Sequence, residues 1–168
     1  VAIPFQIKHL TGSYIAVGAV GAVELIPLII FGLYGGVLAD RVDRQKMIWA
    51  TEAASCFMTL TLLINSLLPK PSLIWLYIVG ATFAALDGLQ RPSSDAILPR
   101  LVHHDDLSAT SALMSLRWQT GVIIGPSAAG ILLATTGITS AFAVDIATFI
   151  ISLIFLAKVK SVKPIEKS

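Results

Sequence analysis

Sulfur is the first thing this sequence is short of. Cys56 is its one cysteine, which excludes an internal disulfide and any cysteine-built metal cluster. Its apolar neighbours suggest an inert buried thiol. Charge is scarce as well: 13% of residues are Asp, Glu, Lys or Arg, where a soluble domain carries about 25%. Apolar–polar alternation over spanning lengths is absent, and a membrane β-barrel needs it. No signal peptide opens the chain. There is no His-Glu metal motif, no nucleophile with a placed base and no nucleotide-binding loop, so neither an intramembrane enzyme nor a bound metal or cofactor is expected. His103 and His104 lie side by side in a polar stretch, the usual setting of a solvated pair. The formal charge is +2 and the pI 8.8, with the basic residues in short turns rather than along one face, which argues against a nucleic-acid partner.

What the chain does have is long apolar runs. Hydrophobic residues make up 55% of it and the mean hydropathy is +0.82, too greasy for water, so the lipid bilayer is its first partner. Five runs are long enough to cross a bilayer at roughly 20 residues each: about 13–39, 46–68, 72–95, 107–134 and 140–157. The connections are 40–45, 69–71, 96–106 and 135–139. Pro69 and Pro71 suit a tight exit and Gly137 suits the last turn. The expected fold is an all-α membrane bundle over 1–157, followed by a basic tail over 158–168. Residues 1–7 are apolar but too short to span, and read as the tail of a helix that begins earlier. On that reading the chain is a fragment with five complete spans and a truncated first one.

The basic residues set the orientation. If the spans alternate, Arg41, Arg44, Lys46, Arg91, Arg100, Lys158, Lys160, Lys163 and Lys167 fall on one side, and only Lys8 and Lys70 on the other. By the positive-inside rule the 40–45 turn, the 96–106 loop and the tail are cytoplasmic, in a cell inner membrane.

The stretch Gly35-Gly36-Val37-Leu38-Ala39-Asp40-Arg41-Val42-Asp43-Arg44-Gln45-Lys46 ends one apolar run and opens the next. Asp40 stands at the inner end of its helix, where an acid opposes the helix dipole and needs a partner; Arg41 and Arg44 supply part of it. An ordinary solvated turn is the plain alternative. Further on, Gly121, Gly125, Pro126 and Gly130 form a run of small residues around a proline, which permits close packing and bends a helix. Plain helix packing explains that pattern too.

Together these stretches resemble the major facilitator superfamily of transporters. Gly36, Leu38, Ala39, Asp40, Arg41 and Arg44 match its loop signature between the second and third helices, with Asp43 where the family has glycine. Gly121, Gly125, Pro126 and Gly130 match its antiporter motif, with Ala129 in place of one glycine. Residues 36–44, 67–73 and 96–102 are similar to the branch that includes the bacterial enterobactin exporter. The resemblance covers nearly the whole chain and implies the N-terminal six-helix half of a transporter built as a nested three-plus-three repeat. It further implies a missing C-terminal six-helix half as partner, alternating access around a midplane site, and proton influx driving a small molecule outward. In the family the loop acid also meets the other half and helps hold the outward-closed arrangement.

Ions inside spans mark sites in such proteins, because a charge in hydrocarbon faces a cavity or a partner. Glu24 and Arg117 each lie about ten residues into their spans, roughly 15 Å from the surface where the helix begins and so near mid-depth. Asp87 and Arg91 are four apart and share a face. Asp145 falls in the outer third of the last span, and Glu52 in the inner third of its own. Glu24, Asp87, Arg91, Arg117 and Asp145 are therefore the candidates for substrate binding or proton coupling, with Glu24 first for reversible protonation. Static salt bridges that fix helix rotation are the alternative. Asp95, expected near the inner end of its span, joins Gly36, Asp40, Arg41 and Arg44 as a candidate cytoplasmic gate. Trp118 beside Arg117 is placed to line a cavity for an aromatic or cationic substrate, or to pack. Export of a drug-like compound or siderophore is the leading reading. An importer of the same class and a non-transporting membrane scaffold or partner subunit are its rivals.

The orientation makes a direct prediction. In a Cys56→Ser background, single cysteines at 41 and 160 react with a membrane-impermeant maleimide from the same side, and one at 70 from the other. Positions 41 and 160 labelling from opposite sides would contradict the arrangement.

Overall fold

A computed structural model gives the fold; it describes residues 2–39, 42–101 and 107–158, with backbone alone at 39, 44, 93–101 and 107. Among the described residues all regular structure is helical: α1 (Ala2–Thr11), α2 (Tyr14–Ala39), α3 (Arg44–Leu67), α4 (Leu73–Leu101) and α5 (Leu107–Lys158). The last four are long and apolar enough to cross a membrane. The opening apolar residues are thus helical, as expected, and α1 ends in a turn where Gly12 takes φ 69°, a left-handed conformation that favours glycine.

α5 is one continuous element only in name. At 52 residues it would measure roughly 78 Å, more than twice the hydrocarbon thickness of a bilayer. Gly137, at φ 82° and ψ −178°, breaks it into arms at 107–136 and 138–158. Where the sequence suggests a five-residue connection, one glycine suffices, because only a residue without Cβ adopts that φ at little cost. The helix runs through Pro126 without such a break. α4 in turn continues to Leu101, past the expected end at 95, so position 95 lies within a helix rather than at its mouth. Ala96, Ile97 and Leu98 are good helix formers with no glycine among them, and they carry the helix beyond the apolar span.

The turn at 42–43 explains the departure from the family signature. Asp43 caps α3, its carboxylate accepting from the amides of Gln45 at 3.0 Å and Lys46 at 3.4 Å. A glycine has no side chain to satisfy those free donors. At the other end of α3, Asn65 clasps Ser72: its carbonyl oxygen accepts from the Ser72 amide at 2.8 Å and its amide donates to the Ser72 carbonyl at 3.4 Å. That closes the α3–α4 hairpin, which is antiparallel, with the Trp75 indole donating to Thr61 at 3.2 Å. The 138–158 arm also runs antiparallel to α3, held by Gln45 to the Leu156 carbonyl at 3.0 Å and Thr59 to Asp145 at 3.2 Å.

α2 and α4 run parallel and make the tightest contact. The Tyr77 hydroxyl donates to the Ala16 carbonyl at 2.7 Å near their start. Further along, a Cβ placed on Gly35 would lie 2.7 Å from the Gly88 carbonyl, and one on Gly88 would lie 2.9 Å from the Gly32 amide nitrogen. Backbone meets backbone there, which only glycine permits. One core gathers around Ile7, Val20, Leu62, Leu76, Val79 and Phe142, drawn from all five helices. It lies toward the end of the bundle away from the 40–45 turn. Elsewhere the faces are apolar and bare; Ile15 is 87% exposed and Leu33 73%. Cys56 is half-buried rather than fully enclosed.

The glycine contact sets a stability test. Gly35→Ala forces the two backbones apart and costs about 1–3 kcal/mol, whereas Gly36→Ala, with nothing within 4 Å of the new carbon, stays within about 0.5 kcal/mol. Thermal unfolding in detergent micelles reads the difference; equal effects at 35 and 36 would contradict the packing.

Candidate functional site

α2 presents Gly21, Glu24, Leu25 and Leu28 on one face, and α4 answers with Phe83, Ala84, Asp87 and Arg91. These eight residues line a hollow of about 380 Å³ between the two helices. The spacings 21/24/28 and 84/87/91 are the three- and four-residue steps that stack side chains along a helix. The hollow therefore follows from the parallel α2–α4 contact described above.

Glu24 reaches across to α4. Its carboxylate oxygen comes within 3.0 Å of where a Cβ of Gly80 would stand, so the carboxyl rests over a bare backbone. Among the described residues no ion pair is formed by Glu24. Pro27, one turn further on, has no amide to give the Val23 carbonyl, which leaves the α2 ladder one bond short beside Glu24. Asp87 and Arg91 form the expected ion pair, with Arg91 Nη2 2.8 Å from Asp87 Oδ2 and both side chains about half exposed. Two carboxylates and one guanidinium leave the ionised hollow with a net charge of −1, which a proton or a cationic group can neutralise. Gln90, next to Arg91, donates to Glu52 at 3.2 Å, so Glu52 ties α3 to α4 rather than entering the hollow.

Other candidates lie elsewhere. Arg117 and Trp118 line a separate open hollow of about 530 Å³ with Gly121, Val122 and Pro126. No ion pair joins Arg117 to Glu24. Asp145 accepts from the fully buried Thr59 hydroxyl at 3.2 Å and so belongs to the seam between α3 and the 138–158 arm. Among the described residues nothing approaches within 4 Å of a Cβ at Gly121, Gly125 or Gly130, nor at Gly36. The small-residue stripe on the 107–136 arm is open, not packed. Asp40, Arg41, His103, His104, Lys160, Lys163 and Lys167 lie outside the described residues, as do the side chains of Arg44, Asp95 and Arg100.

Reading the sequence for charges misses Gly80, Gly21 and the wall residues Leu28, Phe83 and Ala84. Their helical spacing from Glu24 and Asp87 was the available signal. It leaves out Gly80 because the residue matters by having no side chain.

Comparisons with known proteins identify the family. The transmembrane secretion effector family of the major facilitator superfamily matches residues 1–167. Enterobactin exporters are among the relatives: that of Citrobacter koseri is 31% identical over 164 residues, that of Shigella boydii serotype 18 is 32% identical, and that of Escherichia coli O157:H7 is 31% identical. Each alignment covers 98% of this chain and 39% of the relative, so the chain spans well under half the length of these relatives. No solved structure matches significantly. With the family matched from residue 1 to 167 and the helices and loop signature in agreement, the chain belongs to the transmembrane secretion effector family of major facilitator transporters.

Proposed function

We propose that this chain forms one half of a secondary transporter that exports a small amphipathic molecule, a drug-like compound or a siderophore, in exchange for protons. The observation that carries this reading is the hollow between α2 and α4. It brings Glu24, near the middle of α2, to the Asp87–Arg91 pair closer to the 40–45 turn. Glu24 binds the coupling proton when the cavity is closed to water, and gives it up when a cationic group or the inner solvent takes over its charge. Asp87 holds Arg91 in place. Arg91, about half exposed, offers donors to an acidic or hydroxyl-bearing substrate.

Arg117 and Trp118 contribute a second wall, across from a partner half-bundle rather than from α2. The bare faces of α2 and of the 107–136 arm support that partner: both expose large apolar side chains along most of their length. Asp145 acts through Thr59 and α3, and positions that helix. Gly36, Asp40, Arg41, Arg44 and Asp95 form the cytoplasmic gate, and the unfilled space at Gly36 suits approach of the partner half. The siderophore option is drawn from the relatives, whose names assign them enterobactin export.

The test is transport by the intact transporter that contains this chain, in energised inverted vesicles. Glu24→Gln lowers proton-driven uptake of a fluorescent drug probe at least about tenfold, and Lys70→Gln, exposed in the outer connection, stays within about twofold. Full coupled transport by Glu24→Gln would remove Glu24 from the mechanism. The 168-residue chain alone gives no coupled transport in the same vesicles.

A further inference from the structure

The hollow of about 530 Å³ on the 107–136 arm is lined by that arm alone, through Arg117, Trp118, Gly121, Val122 and Pro126. Arg117 stands roughly 15 Å along the helix from its start at Leu107. A guanidinium cannot shed its charge by losing a proton, so within an apolar helix it calls for a counter-ion. Among the described residues it has none: Arg117 makes no ion pair and no hydrogen bond. The acids whose side chains are described are engaged elsewhere. Asp87 holds Arg91 at 2.8 Å, Glu52 accepts from Gln90, Asp145 accepts from Thr59, Asp43 caps α3, and Glu24 reaches over Gly80.

The same hollow holds an acceptor and an aromatic face. Pro126 has no amide, so the carbonyl of Val122, four residues before it, loses its helical donor. Along the axis Arg117 and Val122 are roughly 8 Å apart, about the length of a para-substituted benzene. Gly121 lies between them without a side chain, and nothing comes within 4 Å of where its Cβ would stand, so the space stays open. Trp118 is exposed beside it. The charge here is opposite to that of the Glu24 hollow, which is net −1 when ionised. An anion repelled there is attracted here. The volume falls within the range of roughly 300–1,000 Å³ usual for small-molecule pockets.

We propose that this hollow binds an aromatic acid. Its carboxylate takes the forked donors of Arg117, its ring lies against Trp118, and an O–H or N–H at the far end of the ring reaches the Val122 carbonyl. As a binding site this stands by itself. As the seat of the exported molecule it rests on the transport reading above, and it narrows that molecule to an anion held apart from the proton on Glu24.

The probe is 3-fluoro-4-hydroxybenzoate, with its neutral amide and with 3-fluorobenzoate, which lacks the hydroxyl, for comparison. With the full chain in phosphatidylcholine nanodiscs, ¹⁹F titration shows saturable binding of the hydroxybenzoate above lipid partitioning. The amide binds at least about tenfold more weakly, and 3-fluorobenzoate about fivefold. Arg117→Gln weakens the hydroxybenzoate at least about tenfold and the amide less than about twofold, while Arg117→Lys restores part of the loss. Gly121→Leu fills the hollow and removes saturable binding. Without probe, Arg117→Gln melts no lower than the parent, because no partner is lost; the hydroxybenzoate raises the melting temperature of the parent but not of Arg117→Gln. The proposal fails if the hydroxybenzoate only partitions, or if Arg91→Gln rather than Arg117→Gln removes its binding. It also fails if Arg117→Gln alone lowers the melting temperature, as loss of an ion pair within the chain would. Equal affinity with and without the hydroxyl overturns the Val122 contact. Binding is read without a proton gradient, so its absence would overturn the anion site and leave the Glu24 transport test standing.

Discussion

The bundle depends on one contact, the meeting of α2 and α4 backbones over Gly32, Gly35 and Gly88. Between helices in lipid there is little hydrophobic force, because the tails outside are as apolar as the side chains inside. Close packing has to supply the attraction, and it grows when small residues let two backbones touch. Because α2 and α4 run parallel, that contact also fixes which residues face each other along their length: Ala16 with Tyr77, Glu24 with Gly80, Leu28 with Gly88. The candidate site is a consequence of this register. A slide of one turn would take the Glu24 carboxyl off Gly80 and remove the hollow it shares with Asp87 and Arg91.

The bundle is organised differently at its two ends. Away from the 40–45 turn, all five helices share an apolar core, and Asn65, Trp75 and Tyr77 lock neighbours together by hydrogen bonds. Toward the 40–45 turn, the described fixings include polar ones: the Asp43 cap, Gln45 on the Leu156 carbonyl, and Glu52 with Gln90. The apolar faces left bare on α2 and the 107–136 arm belong to the same economy of contacts. They are surfaces for lipid or for another bundle, not for water.

Much of this was legible in the residues. Composition and run length gave the helical membrane class, and glycine at 137 marked the place where the last long run must break. The i, i+4 spacing of Asp87 and Arg91 gave their pairing before any coordinates. Other features were hidden for physical reasons. Gly80 and Gly88 look like ordinary helix glycines until a second helix is laid against them, because their contribution is the absence of a side chain. The Asp43 cap hides inside a family signature that has glycine at that place, although Asp directly before a helix is a familiar start signal. Arg117 seemed equivalent to Glu24 by depth along its helix. Depth does not say which way a helix faces, and the two line different hollows.

The register of α2 on α4 is open to direct measurement without changing a residue. In the chain labelled with ¹³C-glycine and held in lipid bilayers, magic-angle-spinning correlation spectra should contain cross-peaks between Gly88 and both Gly32 and Gly35. The sequential Gly35–Gly36 peak serves as the internal standard. If that peak is strong and Gly88 correlates with neither glycine of α2, the two backbones are not in contact, and the site built on their register does not exist.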